Sequence, residues 1–117
     1  MQLNIVVIGG GMYVSGRGTS GFGTVLPALS EWKRSGNIFG DLFCVTTSVQ
    51  SAELVEQKSK DLETSTGVDL DLNTFPKADS LDIRGYLDVI KLVKKPACAI
   101  IVVPDHLHHE VAKACLL

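Results

Sequence analysis

Residues 3–11 read Leu3-Asn4-Ile5-Val6-Val7-Ile8-Gly9-Gly10-Gly11, a β-branched apolar run that stops abruptly in glycines. Apolar residues at consecutive positions predict a strand covered on both faces, as a central strand of a parallel sheet is. A glycine-rich stretch from Gly9 to Gly23 follows, and then Val25, Leu29 and Trp32 recur at helical spacing on what reads as the inward face. That spacing predicts an amphipathic helix over residues 24–35. Gly36 is placed to stop it, and Pro27 falls in its first turn, where a missing amide costs no helical bond.

The alternation continues along the chain. Residues 42–47 are a second apolar strand, and Ser51 is read as the cap of a helix that carries Ala52, Val55, Ser59 and Leu62 on one side. Residues 68–75 alternate with a period of two, which predicts a short edge strand with one wet face. Asp82 precedes a helix with Tyr86, Ile90 and Val93 inward, ended by Lys91, Lys94, Lys95 and Pro96. Residues 97–103, Ala-Cys-Ala-Ile-Ile-Val-Val, read as another fully buried strand, and Leu107, Val111 and Ala114 mark a last helix. The order βαβαβαβα predicts an α/β, three-layer, Rossmann-like domain: a parallel sheet of about four strands with helices on both faces. Residues 1–117 are read as a single dinucleotide-binding domain, a fragment of a larger protein. No strand follows residues 97–103, so an exposed sheet edge and self-association through it are expected.

Composition narrows the function. With 45% hydrophobic and 21% charged residues the chain is an ordinary globular domain, not a disordered or fibrous one. Eleven Lys+Arg against 13 Asp+Glu leave a net charge of −2, which supplies no field for nucleic acid. The longest apolar run, residues 97–103, is far short of the ~20 residues a bilayer requires, and no basic segment precedes the first strand, so a cytoplasmic protein without a membrane partner is expected. Cys44, Cys98 and Cys115 form no CxxC pair and are read as buried thiols.

The strongest functional signal is positional: a glycine loop between first strand and first helix is where a parallel sheet receives phosphate. Gly9 and Gly11 occupy the first two positions of GxGxxG, but the third falls on Val14, and the helix waits until after Gly23. A second register, Gly16-Arg17-Gly18-Thr19-Ser20-Gly21, matches literally but lies too far from the strand. Arg17 and the hydroxyls of Ser15, Thr19 and Ser20 are candidate phosphate donors, or simply a solvated loop tip. No Lys-Ser or Lys-Thr follows the glycines, which disfavours an ATPase. After the second strand the chain reads Thr46-Thr47-Ser48, neither the acid that binds an NAD ribose nor the base that accommodates NADP, so NAD or NADP stays open. Arg17, reaching over from the long loop, is a candidate for the missing cation.

At the end of the last strand, Val103-Pro104-Asp105-His106-Leu107-His108 faces the same crevice. This segment resembles the TPNxxH stretch of the Gfo/Idh/MocA family of sugar and cyclitol dehydrogenases (glucose-fructose oxidoreductase and inositol dehydrogenase-like). The opening strand, the glycine loop and the Leu26-Pro27-Ala28-Leu29 helix resemble that family's first unit, so the likeness spans almost the whole chain. It implies an oxidoreductase's NAD(P)-binding domain, in which Gly9, Gly11 and Met12 wrap the pyrophosphate. Val103, Pro104 and Asp105 would then border the nicotinamide and its ribose, with His108 as the motif histidine. Three departures stand out: a longer glycine loop, no acid after the second strand, and Asp105 in place of asparagine. The family's EKP lysine and its substrate domain would lie past Leu117, so the chain by itself is expected to bind cofactor without turning over a polyol or sugar substrate.

Plainer readings stand beside these. Asp105 also suits a helix N-cap. His106, His108 and His109 lack the Cys or acid spacing of a metal site, and Asp69-Leu70-Asp71-Leu72-Asn73 starts like a calcium loop but has Thr74 where glycine is required. A non-catalytic nucleotide- or partner-binding module is the rival function, and an acyl or methyl donor in the same crevice is a third.

Overall fold

The computed structural model describes residues 3–37, 39–77 and 85–116. Four strands form one sheet: β1 (Leu3–Ile8), β2 (Phe39–Val45), β3 (Leu72–Phe75) and β4 (Ala97–Ile101). They lie in the order β3-β2-β1-β4, and every pairing is parallel. Among the described residues five helices lie in the connections and at the end: α1 (Met12–Ser15), α2 (Val25–Arg34), α3 (Val49–Thr66), α4 (Tyr86–Leu92) and α5 (Asp105–Leu116).

The unbroken apolar character of β1 has the expected cause. Ile5 and Val7 face one core with Val14, Leu26, Leu29, Leu42, Cys44, Val55 and Leu62, so α1, α2 and α3 cover that side. Val6 and Ile8 face the other with Phe43, Val45, Val89 and Val111, under α4 and α5. Each such buried aliphatic side chain stabilises the fold by about 1.5–3 kcal/mol, and a strand flanked by helices on both faces collects that from every residue. The domain is therefore a three-layer, all-parallel α/β sandwich of Rossmann-like form. Because β2 and β4 flank β1 on opposite sides, the chain reverses its direction of sheet growth there, opening a crevice beyond the strand ends.

Several expectations need correction. The second strand is displaced toward the N-terminus of its predicted range, and Thr46-Thr47 lie beyond it in the turn. The α3 cap is Ser48, whose Oγ accepts the Ser51 amide at 3.1 Å; Ser51 is one turn inside. Trp32 is 39% exposed and stacks flat on Phe39, ring centroids 5.7 Å apart, while Leu26, Leu29 and Ser30 take the inward positions. The period-two stretch yields an edge strand only at Leu72–Phe75. There Thr74 and Phe75 are both buried, so β3 has no wet face; ahead of it the Asp71 amide donates to Asp69 Oδ1 at 2.8 Å in a local turn. β4 ends at Ile101 and is not fully buried: Ala97, Cys98 and Ala99 are exposed, because among the described residues nothing pairs with its outer side. Accordingly only Cys44 is a buried thiol, Cys115 is intermediate and Cys98 is exposed. Asp82 lies outside the described residues, whereas Tyr86, Ile90 and Val93 do pack against the second core. No helix among the described residues is long and apolar enough to cross a membrane.

Candidate nucleotide cleft

The turn after β1 is built by close contacts that only glycine permits. Gly9 has φ +118°, and a Cβ there would sit 2.0 Å from the Val102 carbonyl oxygen. Its amide donates to Val45 O at 2.9 Å while the Val102 amide donates to Ile8 O at 2.9 Å, so Gly9 is wedged between the ends of β2 and β4. Gly10 lies against Thr46 Cγ2 and Val55 Cγ2, where a Cβ would approach to 2.5 and 2.8 Å. Gly11 differs: nothing lies within 4 Å of its Cβ position, and it opens on the crevice. Ser15, fully buried, donates its hydroxyl to Gly10 O at 3.1 Å or Gly11 O at 3.3 Å and so braces the turn rather than serving a ligand.

After Gly11 the chain makes one helical turn, α1, in the place expected of the first helix, and then breaks it. Gly16 enters the left-handed region at φ +81°. Residues 16–24 loop outward and return, the Thr24 amide donating to Tyr13 O at 2.6 Å, before α2 starts. Val14, at the third fingerprint position, is fully buried in the first core. The glycine stretch is thus an interrupted helix, not an unstructured connection.

Beyond the strand ends lies a cleft of about 900 Å³, within the range of small-molecule and cofactor sites. Gly9, Gly10, Gly11, Met12, Tyr13 and Arg17 line its β1 side, Thr46, Thr47 and Ser51 its β2 corner, and Val102, Val103, Pro104, Asp105 and Leu107 its β4 corner. Gly85 and Tyr86 at the start of α4 complete the lining. Of the residues expected from sequence, Gly9, Gly11, Met12, Arg17, Thr46, Thr47, Val103, Pro104 and Asp105 are brought together here. Ser48 and His108 do not line the cleft: Ser48 is committed to capping, and His108 is exposed along α5. Asp105 is the first residue of α5 and borders the cleft.

The hydroxyls at the β2 corner are not equivalent. Thr46 is buried and donates to Ser48 O at 2.9 Å or Phe75 O at 3.2 Å, so its methyl group, not its hydroxyl, faces Gly10. Thr47 is exposed. Ser51 Oγ accepts from Ser48 Oγ at 3.1 Å and from Arg17 Nη1 at 3.3 Å. Thr19, by contrast, serves its own loop, donating to Gly16 O at 2.7 Å and accepting the Gly21 amide at 3.1 Å. Sequence reading missed Ser51 as a lining residue because it was assigned to capping, Tyr86 because it was assigned to the inward face of its helix, and Tyr13 because an isolated tyrosine carries no pattern.

Comparison with known protein families, with curated proteins and with solved structures gives no match. Cys44, beneath the turn, donates its thiol to Gly9 O at 3.4 Å, and burial pushes its pKa up to about 12. It is therefore a neutral thiol that fills the core, not a nucleophile. Among the described residues no three His, Cys, Asp or Glu side chains gather as a metal site requires.

Proposed function

We propose that this domain binds a nicotinamide dinucleotide, NAD or NADP, in the cleft, as the cofactor domain of a Gfo/Idh/MocA-like oxidoreductase. The observation that carries this reading is the glycine turn at the end of the central strand, opening at Gly11 on a cleft that runs from the β2 corner to the β4 corner. A ligand with two nucleoside ends and a charged middle matches that shape. Gly11 leaves room for a pyrophosphate against the backbone, the β2 corner offers hydroxyls and a guanidinium to one ribose, and Pro104 and Asp105 border the other. Gly11 lines the cleft with open space at its Cβ position, so a large side chain there would project into the volume a pyrophosphate needs. Bound there, the nicotinamide supplies hydride transfer to or from a sugar- or cyclitol-like alcohol, while the protein holds and orients it.

Calorimetric titration with NAD, NADH, NADP and NADPH tests the reading. Binding of at least one, lost in Gly11→Leu, supports it; a folded protein that binds none overturns it.

A second reading has its own observation. The outer side of β4 carries exposed Ala97, Cys98 and Ala99 without a paired strand among the described residues, and an unpaired parallel edge is a template for association. A binding module that adds a second copy at that edge is compatible with nucleotide binding and independent of it.

A further inference from the structure

We infer that the β2 corner of the cleft is a phosphomonoester subsite, so that the dinucleotide taken by this chain is the 2′-phosphorylated one, NADP(H). The inference rests on the dinucleotide reading above and narrows it. In a doubly wound sheet the end of the second strand meets the adenosine ribose, and the charge found there selects between a free 2′-hydroxyl and a 2′-phosphate. Thr46, Thr47, Ser48 and Ser51 place no carboxylate at that corner. The cation arrives from 34 positions upstream: Arg17 reaches over from the glycine-loop excursion and donates Nη1 to Ser51 Oγ at 3.3 Å.

The arrangement at Ser51 is informative. Its Oγ accepts from both Arg17 and Ser48, which leaves its own proton free to donate. Arg17 takes part in neither of the ion pairs found among the described residues, Arg34 with Glu31 and Lys60 with Glu56. An Arg held in a cleft by a neutral hydroxyl keeps its full charge and the rest of its planar donor fork, and that fork matches a phosphate's oxygens.

The loop that carries the exposed Arg17 is also held in place. Lys58 on α3 donates Nζ to Thr19 O at 2.9 Å and to Gly21 O at 2.6 Å, and sits over the Phe22 ring at 5.6 Å from its centroid. The excursion is thereby tied to the helix that carries Ser51, with its ends closed by the Gly16 amide on Met12 O at 2.9 Å and the Thr24 amide on Tyr13 O. Lys58 is a positioning residue that acts through Arg17.

Titration calorimetry of the full chain with NADPH and NADH, repeated on Arg17→Gln and Lys58→Met, decides the matter, with 2′-AMP and 5′-AMP as competitors. The native protein is expected to prefer NADPH and to release it to 2′-AMP but not to 5′-AMP. Arg17→Gln is expected to weaken NADPH roughly 10- to 100-fold, the size of one lost charge-assisted interaction, and to weaken NADH by much less, so that the NADPH-to-NADH ratio falls. Lys58→Met should lower the NADPH-to-NADH ratio less, with the same sign. If Arg17 merely staples the loop to α3, Arg17→Gln lowers the melting temperature and leaves the ratio where it was, which overturns the subsite. Equal or better binding of NADH by the native protein also overturns it while leaving the dinucleotide reading intact; binding of neither overturns both.

Discussion

Two glycines of one turn are expected to fail in opposite ways when given a side chain. At Gly9, alanine must adopt φ +118° with its Cβ 2.0 Å from the Val102 carbonyl oxygen, against an ordinary contact of at least 3.4 Å. Strand ends must separate to relieve that overlap, at the expense of the Val102-to-Ile8 hydrogen bond and its neighbour from Gly9 to Val45. Backbone strain of about 1–3 kcal/mol and about 1 kcal/mol for each of the two hydrogen bonds lost put the destabilisation near 3–5 kcal/mol. For a domain of this size that is a fall in Tm on the order of 10–20 °C. Gly11 has an ordinary φ of −81° and nothing within 4 Å of its Cβ position. A leucine there forfeits about 0.5–1 kcal/mol of N-cap preference and regains about 0.4–1 kcal/mol by restricting the unfolded chain. Gly11→Leu should thus stay within about 1 kcal/mol of native stability and lose dinucleotide binding. Urea unfolding followed by the single tryptophan, Trp32, which is stacked on Phe39, measures the stabilities, and calorimetry with NADPH measures binding. Gly9→Ala as stable as the native protein would refute the wedge described for Gly9. Gly11→Leu that folds and binds nucleotide unchanged would refute the placement of the ligand.

Other outcomes follow from the same structure. Burial raises the Cys44 pKa above that of the unfolded thiol, so its contribution is fully present below about pH 9 and is lost as pH rises toward about 12; over that window stability should fall with a slope approaching ~1.4 kcal/mol per pH unit, and Cys44→Ala should flatten it, as read by urea midpoints at each pH. In native protein a thiol reagent should modify Cys98 fast and Cys44 only on unfolding; equal rates, resolved by mass spectrometry of peptides, would contradict the burial assigned to Cys44. Sedimentation velocity should detect self-association that Ala99→Lys, a charge on the open edge, abolishes; a monodisperse native monomer at high concentration would remove the edge-pairing reading.

What was legible in the sequence was periodicity, and what was not was neighbourhood. β1 and α2 announce themselves because their apolar spacing is set by the element itself. The run at residues 97–103 looks as apolar as β1, yet Ala97 to Ala99 are exposed: burial of a strand depends on what lies beside it, which its own residues do not encode. Ser48 and Ser51 are both plausible caps three residues apart, and the geometry uses them together. α1 is a single turn between glycines, too short to show a period. In the cleft, the glycine positions and the Pro104-Asp105 corner could be read from their place after strands. The contact between Arg17 and Ser51 could not: loop length brings Arg17 within reach of that corner but does not name its partner.

The excursion from Gly16 to Thr24 leaves and rejoins the chain at nearly the same point, and of its tip residues 17–21 none enters either core. Gly16 is buried and Phe22 packs against the first core, so only the tip between them is exchangeable. Replacing Arg17 and Ser20 with neutral or acidic residues, with Gly18 kept for its φ of +81° and Thr19 for its hydrogen bonds within the loop, would leave strand register and helix packing as they are and would rewrite the charge presented to the β2 corner. The charge at the β2 corner is in that sense modular: it comes from an exposed loop tip outside both cores.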